Sequence, residues 1–180
     1  MKRLLPAAVL LVIIGSAFLI QDFRRSYPDI PEAIDRYKKT DGFQMKTLIG
    51  GHTFGEEAVY FYVNRKDEIV GVELGKGVFG WMVRGLSTGS GMSLKEVGER
   101  HSFTGGINTN NRIIFGLATL DESDRIIING EDAALIPLGA HLEEEEAKGK
   151  YAWAIVFDKR QQSYKKEIID KDNRKIVESP

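Results

Sequence analysis

From Leu4 to Ile20 the chain carries no charge and is almost wholly apolar, with Lys2-Arg3 before it and Gln21-Asp22-Phe23-Arg24-Arg25 after it. Those seventeen residues, rising about 1.5 Å each, predict a helix of roughly 26 Å, which with its flanks matches a hydrocarbon core of about 30 Å. From residue 43 onward the pattern changes to period two, punctuated by Gly, Asn and Asp. That pattern predicts antiparallel strands.

The clearest strand pair is Val59-Tyr60-Phe61-Tyr62-Val63, a turn over Asn64 to Asp67, and Ile69 to Leu74. Further strands are expected at Phe43 to Ile49, Val78 to Val83, Arg112 to Thr119 and Arg125 to Ile128. Asn129-Gly130 is the strongest two-residue hairpin signal, and Ala133 to Leu138 would return from it. Tyr151 to Asp158 sets Trp153, Ile155 and Phe157 on one face against Ala152, Ala154 and Val156 on the other, as a central strand would. Tyr164 to Ile169 and Lys175 to Val177, around Asp172-Asn173, read as a basic edge hairpin. The expected fold class is all-β: a β-sandwich or open barrel of about nine to ten antiparallel strands behind one N-terminal transmembrane helix.

The domain expectation is an anchor or signal peptide over 1-25, a stalk with a short helix over 26-41, and a single β domain over 42-180. Pro28 and Pro31 hold the residues before them extended, and Pro31 suits the first turn of a helix through Tyr37. Two fates are open to the first segment. It can be retained as a signal anchor, or cut after Ala17 in the small-residue stretch Gly15-Ser16-Ala17, releasing a secreted domain. Because Phe18-Leu19-Ile20 continue the apolar run past that cut, we expect a retained single-pass anchor with the lipid bilayer as its partner. The basic residues after the span, Arg24, Arg25, Arg36, Lys38 and Lys39, would by count keep the C-terminal part inside. The short basic start typical of an export signal argues for an extracytoplasmic domain at the cell membrane, and that is our expectation.

Composition narrows the function classes. The chain has 25 Lys plus Arg and 26 Asp plus Glu; without its first twenty residues it keeps 23 and 26, a formal −3. No global basic field for nucleic acid results. Zero cysteine excludes disulfides, thiolate metal sites, a cysteine nucleophile and a cysteine-linked lipid. No cofactor is expected.

Three motif matches each have a plainer structural account. Gly75-Lys76-Gly77-Val78-Phe79-Gly80 spells G-x-G-x-x-G, but the glycines lead into a strand, with no helix N-terminus to meet a phosphate and no kinase motifs behind them. Gly85-Leu86-Ser87-Thr88-Gly89 spells the nucleophile elbow G-x-S-x-G. A hydrolase would need Ser87 on a strand-turn-helix corner with His101 or His141 beside it, whereas Ser90, Gly91 and Ser93 continue a polar loop. Glu143 to Glu146 beside His141 point in different directions on any regular backbone, and His52, His101 and His141 are far apart in sequence. No metal site is expected.

Trp81 and Trp153 fall inside strand patterns and should be core. Tyr60 and Tyr62 share the face opposite Val59, Phe61 and Val63. Exposed, that face would be a partner-binding stripe for a protein or glycan of the envelope; covered, it would be core.

The order of an anchor, a strand pair, Gly77-Val78-Phe79-Gly80-Trp81, a hairpin around Asn129-Gly130-Glu131-Asp132-Ala133 and Tyr151-Ala152-Trp153 resembles small uncharacterised membrane-anchored extracytoplasmic β-domain proteins of spore-forming Gram-positive bacteria. The resemblance implies location and architecture and transfers no catalytic residue. The expected function is a membrane-tethered, non-catalytic interaction module of the cell envelope. The alternatives are an envelope serine hydrolase using Ser87, or an accessory subunit of a membrane complex docking through the hairpin near Lys165 and Lys175.

Overall fold

A computed structural model describes residues 4–39, 44–86, 92–98, 100–109, 111–142 and 145–179. Two helices lead the chain: α1 (Leu4–Arg25) and α2 (Ile30–Lys38). The start of α2 follows its sequence closely. Asp29 is the N-cap, its carboxylate accepts from the Glu32 N–H at 2.8 Å, and Pro31 takes a first-turn position where no N–H is needed.

Among the described residues twelve strands follow, in three antiparallel sheets of four. Sheet I is a meander of β1 (Met45–Phe54), β2 (Glu57–Asn64), β3 (Ile69–Gly77) and β4 (Gly80–Leu86). Sheet II takes β5 (Ser102–Thr109), β6 (Ile113–Thr119), β9 (Ala134–Pro137) and β10 (Lys150–Val156), in the order β5-β6-β10-β9. Sheet III has β7 (Arg125–Ile128), β8 (Glu131–Asp132), β11 (Lys166–Ile169) and β12 (Lys175–Ser179), in the order β12-β11-β7-β8.

The layers run α2, sheet I, sheet II, sheet III. Between sheets I and II lie Val59, Phe61 and Val63 against Phe115, Leu117 and Ile136. The rings of Phe61 and Phe115 meet edge to face at 5.8 Å. Gly71 permits this closeness, since a Cβ there would lie 2.4 Å from the Phe115 ring. Between sheets II and III, Trp153, Ile155 and Phe157 pack on Ile126, Ile128 and Ile168. Trp153 has no exposed surface and donates its indole N–H to the Leu117 carbonyl at 3.3 Å. Each large side chain removed from water in this way contributes about 1.5–3 kcal/mol. As its alternation predicts, β10 is an interior strand.

The expectation of a β-rich antiparallel fold holds, and its details need correction. The count of nine to ten strands is low for two reasons. The Gly, Thr and Asn of β5 carry no alternation for a sequence reading to detect. The return from the Asn129-Gly130 turn, expected to begin at Ala133, is made first by the two-residue strand β8, which pairs with β7, while the expected segment supplies β9, which crosses to β10 in another sheet. The glycines of G-x-G-x-x-G sit in the β3–β4 hairpin, whose two-residue tip is Val78-Phe79. Among the described residues, with α1 side chains described from Ile13 onward, no helix is long and apolar enough to cross a membrane.

Candidate functional site

The most specific construction in the molecule is the joint between α1 and sheet I. The Ser26 hydroxyl donates to the Asp22 carbonyl at 2.8 Å, satisfying one of the acceptors left open at the end of α1. One residue on, Tyr27 N–H donates to the Trp81 carbonyl at 2.8 Å, and Trp81 N–H donates to the Tyr27 carbonyl at 2.7 Å. The chain thereby adds a single bridge to the β4 edge.

Gly80 makes this bridge possible. Its φ is +130°, and a Cβ there would come within 2.2 Å of the Tyr27 carbonyl oxygen. Beside the bridge, Phe23 of α1 and Phe79 of the β3–β4 tip meet edge to face at 5.4 Å. Helix and hairpin are therefore held by backbone and side chain together.

Next to the joint is a cavity of about 420 Å³ lined by Arg24, Arg25, Tyr27, Arg36 and Tyr37 among others. Arg24 and Arg25 come from the last turn of α1 and Arg36 from α2. Among the described residues no carboxylate pairs with any of the three, whereas elsewhere Arg84, Arg100, Arg112 and Arg125 all have such partners. The cavity can accept an anion, with tyrosine hydroxyls as further donors.

A second polar cleft lies at an edge of the stack. Glu57 accepts from both terminal nitrogens of Arg112, at 3.3 and 2.9 Å, and lies 3.6 Å from Arg84. Arg112 also donates to the Phe157 carbonyl at 2.9 Å. One half-buried carboxylate thus ties β2 to the start of β6 and the end of β10, and the group reads as a clamp.

The structure also assembles a cluster that no spacing announces. His101 Nε2 lies 3.0 Å from Asp124 Oδ2 and 3.6 Å from Asp121 Oδ2, and the three side chains lie close enough to share an ion. Part of its bonding capacity is already taken, while His101 Nε2 is buried without a hydrogen-bond partner among the described residues. Arg100 hydrogen-bonds Asp121 and holds that carboxyl below its ordinary range, while Asp124 accepts from the Asp121 N–H at 2.9 Å. A cation would have to displace both. The group reads as a neutralised turn between β6 and β7, with His101 at a φ of +48°.

The tyrosine stripe lies under α2. Tyr62 is buried and Tyr60 half-buried, both in the cluster that Ile30, Ala33 and Ile34 of α2 complete. Burial, helped by the charge of Tyr37, pushes the Tyr62 phenol above its ordinary pKa. Tyr62 therefore packs in the core beneath α2, with Tyr60 half-buried at its border. Within the segment expected as a stalk with a short helix, α2 packs on sheet I through Ile30, Ala33 and Ile34. Trp153 is core as expected, and Trp81 is half-buried at the joint.

Ser87, Glu143 and Glu144 lie outside the described residues. His52 and His141 are exposed, and the His52 ring meets Phe54 edge to face at 4.7 Å. The arginine cavity had one sequence signal, the basic residues crowded just after the apolar run. Their convergence needs the α1–α2 turn and could not be read from spacing.

Fold and joint together define a three-sheet antiparallel β stack fastened to an N-terminal helix. No family model, no curated protein and no solved structure matches the chain.

Proposed function

We propose that this chain is a membrane-tethered, extracytoplasmic interaction module of the cell envelope, with no chemistry of its own. Leu4 to Ile20 is the tether, and the stack behind it is the working part. The observation that carries the reading is the Tyr27–Trp81 bridge. A domain that only needed to be kept near a membrane could hang from a loose linker. Here the chain leaves α1 and is fastened within two residues, so the stack keeps a set height and orientation over the bilayer. That arrangement suits a protein presenting one surface to a partner in the same membrane. The resemblance to anchored extracytoplasmic β-domain proteins of spore formers agrees with it.

Fractionation with alkaline carbonate, followed by protease on intact cells, tests the proposal. The full chain should remain in the membrane pellet and lose a C-terminal tag to external protease. A protected tag overturns the outside placement. A soluble product whose N-terminus is Phe18 overturns the anchor in favour of cleavage after Ala17.

A second reading, the accessory subunit, is favoured by one observation: β12 is the outermost strand of sheet III and, among the described residues, has one edge without a neighbour in that sheet. Such an edge can accept a strand from another chain. A photo-crosslinker at Ile176, on β12 and 39% exposed, should then capture a single membrane protein in intact cells, and one at Lys66 should not. Equal, diffuse products from both positions would remove this reading. The hydrolase alternative rests on Ser87 alone, and equal ester hydrolysis by the wild type and Ser87→Ala would end it.

A further inference from the structure

Two-residue hairpin tips are ordinarily Asn, Asp or Gly, which tolerate tight backbones and suit water. The β3–β4 tip is Val78-Phe79. Val78 is 83% exposed, the highest exposure among the large apolar side chains described, and Phe79 is 41% exposed. Phe79 leans on Phe23, itself 65% exposed, one helical turn beyond Ile20. Along α1, Ile13, Phe18, Leu19 and Ile20 are also open. Exposed apolar side chains therefore occur along the helix and on the hairpin tip, with the Asp22 carboxylate seated beside Gly77 between them. Arg24, Arg25 and Arg36 line the cavity beside them without a carboxylate partner among the described residues.

We propose that the β3–β4 tip is a second membrane contact. Val78 and Phe79 insert into the interfacial layer beside α1, and the arginine cavity takes the phosphate of an anionic phospholipid headgroup. This rests on the reading of α1 as the anchor. Phe23 lies about 4.5 Å along the helix axis beyond Ile20, which puts the tip at the level where acyl chains give way to headgroups. Tyr27 and Tyr37 stand at the same level, the usual place for aromatic side chains at a bilayer boundary. Arginines at that height that have no carboxylate partner among the described residues meet lipid phosphate at short range. Two contacts, a span and a tip, prevent the domain from swivelling about the helix.

Because the chain has no cysteine, single cysteines can carry an environment-sensitive fluorophore. Full-length Ile14→Cys, Val78→Cys and Lys66→Cys proteins would be labelled and reconstituted into vesicles of phosphatidylcholine, with and without phosphatidylglycerol. Lys66 lies in the β2–β3 turn, at the far end of β3, roughly 30 Å from the tip at about 3.3 Å per residue. The Val78 label should be quenched by spin-labelled lipid and shielded from aqueous iodide, more so with phosphatidylglycerol, and the Lys66 label should behave oppositely. Changing Arg24, Arg25 and Arg36 together to Gln should abolish the phosphatidylglycerol effect at Val78 and leave Ile14 quenching unchanged.

A Val78 label as open to iodide as the Lys66 label, with Ile14 still quenched by lipid, overturns the tip contact and leaves the anchor standing. An Ile14 label open to iodide overturns both. A phosphatidylglycerol effect that survives the triple change removes the headgroup site. Near-ultraviolet circular dichroism matching the wild type shows that each variant is folded.

Discussion

Tyr27 and Trp81 exchange both of their backbone hydrogen bonds, so the first residues after α1 are joined to the β4 edge. This pairing decides how the rest of the molecule relates to its N-terminal helix.

Gly80→Ala should weaken that pairing selectively. The new methyl meets the Tyr27 carbonyl at 2.2 Å in a left-handed backbone region, so strain alone predicts a loss of about 1–3 kcal/mol. Urea denaturation measures the loss, and limited trypsinolysis should show faster cleavage at Arg24 and Arg25. An unchanged midpoint and cleavage rate would mean that the joint is slack.

Ile34→Ala asks whether α2 is a stalk or core. Ile34 is 2% exposed between α2 and sheet I, and truncating such a side chain costs about 2–5 kcal/mol. A freely hinged stalk would show no change in the thermal transition of the β domain.

Tyr62→Phe addresses alkaline stability. The Tyr62 phenol is raised in the folded protein, first by burial and then by Tyr37. The unfolded chain ionises this group near pH 10 while the folded one keeps its proton. Its stability is therefore whole below about pH 10 and lost as pH rises through the folded value. The wild type should begin to destabilise above that point, and Tyr62→Phe should move the onset upward. Identical alkaline profiles would show that Tyr62 does not govern it.

Glu57→Gln removes the charge that holds Arg84 and Arg112 together. The Glu57 side chain is 15% exposed and that of Arg112 36%, so the loss should lie below that of a fully buried pair, at about 1–3 kcal/mol. Part of the wild-type advantage should disappear in high salt. A loss independent of salt would point to packing as its cause.

Much of the sheet architecture was legible in the chain. The turn at Asn129-Gly130 and the hairpin between Glu57 and Gly77 depend on neighbouring residues, and local chemistry sets them. The N-cap at Asp29 and the start of α2 by Pro31 are equally local. What escaped were the choices made between distant segments. Ile126 and Ala133 belong to one hairpin in sequence, yet the next few residues leave for another sheet because Leu135 pairs with Trp153. His101, Asp121 and Asp124 meet only after β5 and β6 have paired.

The sequence by itself determined an apolar N-terminal run, a β-rich remainder and the faces of the alternating strands, because side-chain alternation and turn propensity act within a few residues. Which faces are covered was decided by the tertiary structure. Tyr60 and Tyr62 point away from Phe61 in any strand, and only the return of α2 onto sheet I makes that direction the interior. The joint at Gly80 has the same origin: its missing side chain acquires meaning when Tyr27, more than fifty residues earlier, arrives against it.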